Sequence, residues 1–274
     1  MDLNNLMKDF KMADRKEYLE LNEYSDNQIY EYLIGCGGLF LASKMIRQMN
    51  LKKGDIVLDL GCGLGTTSIF LAKKFDVTVI AVDFWNSPNV LAKRAKEEDL
   101  SNKIIPVQID ITQLIPFAEN YFDAIFCMNS LFMFGDNLDF LQKLLKTLKI
   151  GGTFCIGSEC FSQDLKYKNI EEIPAVYNFK CEWSVWEECF SKYHCPEWWK
   201  SLIVETNLID ITYCKELDDG KTLWEDSALN YYNYYNNDLT YGAMIPQERI
   251  VDIILYGKQN TPCTTLYVLT GKRK

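Results

Sequence analysis

A glycine-rich loop is the part of this sequence whose residue types and spacing most directly predict chemistry. The letters D-L-G-C-G-L-G run from Asp59 to Gly65, directly after the apolar segment Ile56 to Leu60. Glycines tolerate positive φ angles and let the backbone approach a ligand closely, and a helix that follows such a loop presents unpaired amide groups. The loop therefore predicts a ligand site at the end of a strand.

An acidic residue beside the loop narrows the choice of ligand. The spacing is G-x-G-x-G, one residue shorter than in dinucleotide-binding loops, and Asp59 stands two residues before the first glycine. A carboxylate is repelled by a diphosphate, whereas it attracts the cationic amino group of S-adenosylmethionine. The loop thus favours S-adenosylmethionine over a nicotinamide dinucleotide.

Two more acids follow the next two predicted strands, Asp83 in AVDFW and Asp110 in IPVQIDIT. Because the carboxyl ends of parallel strands meet at one edge of a sheet, we expect the three acids to lie side by side. Asp83 is placed to accept hydrogen bonds from ribose hydroxyls, and Asp110 to accept the exocyclic amine of adenine, with Ile111 against the ring. Each acid alone is equally explained as a helix cap or turn residue. Their joint pattern favours a nucleoside site.

The remaining pattern predicts a doubly wound α/β fold, with a mostly parallel seven-stranded sheet and helices on both faces. Strands are predicted at 56–60, 77–82, 104–109, 122–128, 153–157, 209–214 and 264–270, and helices at 66–75, 88–98, 138–148 and 196–206. Residues 1–50 are predicted as an N-terminal helical extension, in which Ser25 caps a helix, and residues 51–274 as the main domain. Aromatic-rich cap segments are expected as insertions at about 160–195 and 216–262.

The amino-acid composition limits the kinds of molecule that we expect the protein to bind. The chain has 38 acidic and 29 basic residues and a net charge of −9, which disfavours nucleic acid, and the basic residues near Arg94 are interpreted as a solvated helix face. Ten cysteines include no C-x-x-C pair, so no metal site is expected. No apolar run has the length of a membrane span or signal peptide. We expect a cytoplasmic protein with no membrane partner, and a homodimer is compatible with the sequence.

The segment from about Gly37 to Ile156 resembles the class I S-adenosylmethionine-dependent methyltransferase family, in particular its small-molecule members. The matching pieces are VLDLGCGLG at 57–65, AVDFW at 81–85, QIDITQLIPFAENYFDAIFCMNSLFMF at 108–134 and LKIGGTFCIGSE at 148–159. The resemblance implies S-adenosylmethionine as the cofactor and S-adenosylhomocysteine as the product. It also implies cofactor contacts by Gly37, Gly38, Asp59, Gly61, Cys62, Gly63, Asp83, Phe84, Asp110, Ile111 and Asn129.

Methyl transfer from a sulfonium needs mainly proximity and alignment, with a base only where the nucleophile carries a proton of high pKa. His194, the only histidine, and Glu159, after the fifth predicted strand, are the two candidate bases, and a structural role is the alternative for each.

The acceptor is expected to be a small molecule. The segment after the fourth strand, Met128 to Phe132, lacks the D/N-P-P-Y/F motif of nucleic-acid and protein amino-methylation. Amine, hydroxyl, thiol and carbon acceptors all stay open. A nicotinamide-dependent oxidoreductase and a non-catalytic S-adenosylmethionine-binding protein are the alternative functions.

Overall fold

A seven-stranded sheet forms the centre of the protein, as the sequence predicts. The computed structural model describes residues 13–33, 35–134, 137–161, 194–227 and 264–274. The strands lie in the order β3-β2-β1-β4-β5-β7-β6. Their bounds are β1 (Ile56–Leu60), β2 (Thr78–Asp83), β3 (Ile104–Gln108), β4 (Phe122–Met128), β5 (Leu148–Phe161), β6 (Ile209–Glu216) and β7 (Thr264–Arg273).

The first five strands pair in parallel, and β7 pairs antiparallel with both β5 and β6. The strand order reverses between β1 and β4. Such a reversal opens a crevice at the carboxyl ends of the strands, which is where open α/β sheets bind ligands. The doubly wound fold predicted from the sequence is confirmed.

Helices cover both faces of the sheet. Those with both ends among the described residues are α1 (Asp26–Tyr30), α2 (Gly38–Ile46), α3 (Thr66–Phe75), α4 (Pro88–Glu97), α5 (Leu138–Lys146) and α6 (Pro196–Glu205), and residues 220–227 are also helical. One apolar core holds α2, α3 and α4, and a second core on the other face holds α5 and α6. None of the helices in the described part of the chain combines the length and apolar character needed to cross a bilayer.

The N-terminal segment is built from short pieces. Two 3-10 turns, Arg15–Glu17 and Leu19–Leu21, precede α1. Ser25 caps α1 in a capping box with Gln28, as its position predicts. A glycine turn at 35–38 then leads into α2, which packs directly on β5. A helix of the predicted extension therefore contributes to the core of the sheet domain.

The ends of β5 differ from the prediction. It extends over Leu148–Phe161 rather than 153–157, because Leu148 pairs with β4 and residues 158–161 continue the pairing with β7. The preceding helix ends at Lys146, since Leu148 already pairs with Phe122 of β4. Strand β7 likewise continues to Arg273, whose guanidinium hydrogen-bonds the carbonyl of Leu148. The predicted caps fall largely on 162–193 and 228–263, outside the described residues.

Candidate functional site

The glycine loop between β1 and α3 is held against the end of β2. The amides of Gly61 and Cys62 both donate to the carbonyl oxygen of Val82, at 2.8 and 3.0 Å. Gly61 and Gly65 have positive φ angles of 72° and 85°. These hydrogen bonds and glycine torsions give the loop a defined conformation.

The three loop glycines differ in what surrounds them. A Cβ at Gly61 would lie 2.3 Å from Ser130 Oγ, and one at Gly65 would lie 2.0 Å from a Leu91 methyl carbon. A Cβ at Gly63, where φ is 57°, would meet no heavy atom within 4 Å. Gly61 and Gly65 are thus required by packing. Gly63 faces open space that a ligand can occupy.

Asp59 is buried beneath the loop, with 1% of its surface exposed. Its Oδ2 atom accepts hydrogen bonds from Thr67 Oγ1 at 2.7 Å and Ser68 Oγ at 2.6 Å, which ties β1 to the first turn of α3. Burial raises the pKa of Asp59 to about 6, against the lowering effect of these two hydroxyls, and the Asp83 carboxylate raises it further. A cation close to Asp59 would favour its charged form.

Asp83 joins the loop to the turn after β2. Its Oδ2 accepts from the Gly63 amide at 2.9 Å, and its Oδ1 accepts from the amides of Trp85 and Asn86 and from Asn86 Nδ2, at 2.8 to 2.9 Å. A carboxylate oxygen has about two acceptor sites. Protein donors therefore fill Oδ1, and Oδ2 keeps one site for a ligand hydroxyl.

Exposed aromatic residues follow β2, and a turn follows β3. Phe84 and Trp85 are 53% and 67% exposed, with ring centroids 5.8 Å apart and an angle of 67° between the ring planes, so two exposed apolar rings meet edge to face at this edge. Asp110 Oδ1 accepts from the amide and hydroxyl of Thr112, at 3.0 and 2.6 Å, which is the turn role weighed for it above. Ile111 is buried in the second core. Adenine contacts by these residues stay predictions.

Asn129 connects the end of β4 to the glycine turn. Its Nδ2 donates to the carbonyl oxygen of Cys36 at 2.8 Å, and its backbone amide donates to Gly157 O at 2.9 Å. Because Nδ2 must face that carbonyl, the orientation of the side-chain amide is defined. Asn129 Oδ1 is buried and has no hydrogen-bond partner among the described residues. A buried acceptor in this position fits a donor supplied by a ligand.

Gly37 and Gly38, for which the family resemblance implies cofactor contacts, have a packing role in the structure. The Gly37 amide donates to Ser227 Oγ at 2.6 Å, and a Cβ at Gly38 would lie 2.6 Å from a ring carbon of Tyr30. These contacts lock the turn between α1 and the helical residues 220–227. Cofactor contacts by Gly37, Gly38 and Cys62 stay predictions.

The two candidate bases lie on different faces of the sheet. Glu159 shares the α2 face with Phe161, and its Oε2 lies 3.2 Å from Cys36 Sγ, in the turn that contacts Asn129. Strand alternation places Cys160 on the opposite face, in the core that contains α6. His194 precedes α6 and stacks on Trp198, with ring centroids 3.6 Å apart. The contacts of Glu159 lead to the edge of the sheet that carries the glycine loop. None of the contacts described for His194 does.

Of the residues at the site, Ser130 was missed in the sequence and Arg94 was misinterpreted. Ser130 Oγ lies 3.1 Å from the carbonyl oxygen of Gly61 and so ties the loop to β4. Arg94, interpreted above as part of a solvated helix face, instead hydrogen-bonds the carbonyl of Leu64 and stacks over the Tyr32 ring at 4.1 Å. Helical spacing could not show this, because the contact joins α4 to a loop 30 positions earlier.

The described residues hold no group of three or more His, Cys, Asp or Glu side chains arranged to bind a metal ion. The groups that the described residues bring to the crevice include backbone amides, carboxylates and aromatic rings. Among these groups, Glu159 is a carboxylate that contacts the glycine turn through Cys36.

Comparison with known proteins agrees with this architecture. Residues 58–156 match a family model described as a methyltransferase domain. This region runs from β1 into β5 and includes the loop, Asp83, Asp110 and Asn129. The resemblance noted in the sequence is thereby confirmed.

Two of the curated relatives illustrate a match over about half of the chain. Phosphoethanolamine N-methyltransferase of Plasmodium falciparum is 30% identical over 157 residues, which cover 54% of this chain and 58% of that protein. Phosphoethanolamine N-methyltransferase 1 of Arabidopsis thaliana is 27% identical over 154 residues, covering 54% of this chain and 31% of the relative. The matched part thus spans less than two thirds of either relative.

A solved structure extends the likeness to nearly the whole chain. Haemonchus contortus phosphoethanolamine N-methyltransferase 2, in complex with S-adenosyl-L-methionine, superimposes with a TM-score of 0.67 at 17% identity. The superposition covers 95% of this chain and 60% of that one. At this identity the likeness establishes the fold.

Proposed function

We propose that this chain, which contains a class I S-adenosylmethionine-dependent methyltransferase domain, transfers a methyl group from S-adenosylmethionine to a small-molecule acceptor. The observation that carries the proposal is the glycine loop, which lies in the matched region and presents Gly63 to open space. The single chemical contribution of the cofactor is a methyl group on a positively charged sulfur, which an acceptor can attack in line.

The described residues fit this cofactor. Asp59 supplies a poorly solvated carboxylate for the methionine ammonium group, and Asn129 Oδ1 supplies a buried acceptor at the same edge. Asp83 Oδ2 has an acceptor site for a ribose hydroxyl, and the exposed Phe84 ring provides a surface for adenine. Gly63 permits close approach of the ligand to the backbone. Each of these groups binds or orients the ligand.

The same features disfavour a nicotinamide cofactor. The usual dinucleotide-binding sheet has the strand order 3-2-1-4-5-6, whereas the antiparallel β7 here lies between β5 and β6. The carboxylate of Asp59 under the loop would also repel a diphosphate.

Several finer features belong to the proposal. The acidic composition favours a small acceptor without a large negative charge, and Glu159 is the preferred base because its contacts lead to the loop edge. A cytoplasmic location suits the free thiols of Cys62, Cys127 and Cys214. A homodimer stays a prediction, as does the division into residues 1–50 and 51–274.

Binding of S-adenosylmethionine is expected to release a proton near pH 6. Burial raises the pKa of Asp59 to about 6, and a bound ammonium group would lower that pKa. A protonated Asp59 must then lose its proton on binding, about half a proton per site at pH 6. Affinity therefore falls as the pH drops below 6, approaching tenfold per pH unit.

Calorimetric titration in two buffers of different ionisation enthalpy measures this release. The Asp139→Asn variant, which changes an exposed acid on α5, should behave like the wild type. An affinity that does not vary between about pH 5 and pH 7 would rule out the role given to Asp59. Absence of binding at any pH would refute the proposed function itself.

A further inference from the structure

An arginine on α4 contacts the end of the glycine loop. Helix α4 approaches the loop with two residues that lie one turn apart, Leu91 and Arg94, and Leu91 occupies the space that a Cβ at Gly65 would need. The Arg94 guanidinium donates to the carbonyl oxygen of Leu64 and, at 3.2 Å, to Thr66 Oγ1. Its donors therefore hold the residues on either side of Gly65.

The other basic residues nearby on α4 have different surroundings. Lys93 and Lys96 are exposed, and Lys93 forms an ion pair with Glu97, one turn away, at 3.9 Å. Arg94 is half-buried, and its planar guanidinium presents several donors in a fixed fork, which suits two acceptors at once. Among these three basic residues, Arg94 is therefore the one that faces the glycine loop.

The same arginine holds the part of the chain that follows α1. Its guanidinium carbon lies 4.1 Å from the centre of the Tyr32 ring, which is a cation–π contact. Thr66 Oγ1, which accepts from Arg94, donates to the carbonyl oxygen of Glu31 at 2.8 Å. Tyr32 has a φ of 60°, in the left-handed region that residues with a side chain rarely adopt. The contacts with Arg94 and Thr66 thus stabilise a conformation that the backbone alone disfavours.

The loop residue that faces open space lies between two anchors. The Gly63 amide donates to Asp83, and the carbonyl oxygen of the next residue, Leu64, accepts from Arg94. Asp83 keeps an acceptor site for a ligand hydroxyl, whereas the contacts described for Arg94 are all with protein groups. An effect of Arg94 on the cofactor would therefore pass through the loop.

We propose that Arg94 is a positioning residue for the cofactor site. It fixes the loop at Leu64 and Thr66, fastens Tyr32 beside the loop, and so sets the affinity for the cofactor without touching it. The inference rests on the proposed function. A loop that is ordered before binding does not have to be ordered by the ligand, so binding loses less conformational entropy. Removal of the arginine transfers that cost to the binding step.

A set of substitutions separates positioning from general stability. Arg94→Met removes the donors and the charge, and Arg94→Lys keeps the charge on a single ammonium group. Arg47→Met is the matched control, because Arg47 also lies over a tyrosine ring, that of Tyr18, at 5.5 Å and donates to the carbonyl oxygen of Glu17 at 2.6 Å. These partners lie in the N-terminal segment, away from the glycine loop. Tyr32→Phe retains the ring that Arg94 contacts, and Tyr32→Leu removes it.

Each variant is titrated with S-adenosylhomocysteine, and amide hydrogen exchange is measured on the ligand-free protein, well below its unfolding temperature. We expect Arg94→Met to weaken binding by about tenfold or more and to speed exchange at residues 61–66, with Arg94→Lys between it and the wild type. Arg47→Met should match the wild type in both measurements. Tyr32→Phe should also match it, and Tyr32→Leu should weaken binding severalfold. In the double variant of Arg94→Met with Tyr32→Leu, the loss should be smaller than the product of the single losses, because both changes remove the same contact.

The inference is overturned if Arg94→Met binds S-adenosylhomocysteine as tightly as the wild type, if residues 61–66 exchange no faster in it, or if Arg47→Met loses as much affinity. If Arg94→Met does not fold, Arg94→Lys and Tyr32→Leu decide by the same two measurements. Wild-type protein that binds no S-adenosylhomocysteine would instead refute the proposed function. Hydrogen exchange at residues 61–66 would then still decide whether Arg94 positions the loop.

Discussion

Replacement of Gly63 by alanine is expected to weaken S-adenosylmethionine binding by about 100-fold or more, while lowering the free energy of unfolding by only about 1 kcal/mol. The small cost in stability follows from a φ of 57° at a position where a Cβ meets no protein atom within 4 Å. The large cost in affinity follows because that open space is where the cofactor approaches the backbone. Calorimetry and thermal unfolding measure the two effects separately.

Gly151 provides a matched control. Its φ is 75°, a Cβ there also meets nothing within 4 Å, and it is exposed near the start of β5. Gly151→Ala should therefore cost about as much stability as Gly63→Ala and leave cofactor affinity at the wild-type value. Equal affinities for the two variants would mean that no ligand approaches the loop at Gly63.

Asp83→Ala is expected to reduce S-adenosylmethionine affinity by about 1000-fold. The carboxylate accepts from Gly63, Trp85 and Asn86, so its loss frees the loop and the turn after β2 as well as the ribose acceptor. Hydrogen bonds to a charged group contribute about 1.5 to 3 kcal/mol each, so the lost ribose bond together with the lost bond that holds Gly63 in place corresponds to that change. Equilibrium titration with S-adenosylhomocysteine should show the same loss, because both ligands carry the ribose.

Asp110→Ala is the comparison for Asp83. Asp110 bonds the amide and hydroxyl of Thr112 in its own turn, so we expect a loss of about tenfold or less. An Asp110 effect larger than the Asp83 effect would move the main anchor of the nucleoside to the end of β3. Thermal unfolding of both variants separates loss of contact from loss of fold.

The features that could be predicted from the sequence depend on local order along the chain. Strands β1 and β4 and helix α3 begin and end where their apolar runs predicted. Asp59 and Asp83 were placed correctly at neighbouring strand ends, because parallel pairing brings consecutive carboxyl ends to one edge. The positions of the acidic residues, the glycine loop and the fold class could therefore be predicted without knowledge of contacts between distant residues.

The features that could not be predicted depend on contacts between distant residues. Asn129 meets Cys36 across 93 positions, and Glu159 meets Trp224 across 65. Nothing in the local spacing at these residues indicates such partners. The same holds for the end of β5, where residues 158–161 continue the strand by pairing with β7 at the other end of the chain. The position of Glu159 beside the glycine turn is therefore a result of the structure alone.

Methyl transfer itself is the most direct test of the proposed function. The purified chain is incubated with S-adenosylmethionine labelled on the methyl group and a mixed set of small amines, alcohols and thiols. We predict equal amounts of S-adenosylhomocysteine and a labelled small product. Bound S-adenosylmethionine that yields no S-adenosylhomocysteine with any acceptor would contradict the assignment and identify a binding protein, and binding of a nicotinamide dinucleotide in its place would contradict the cofactor.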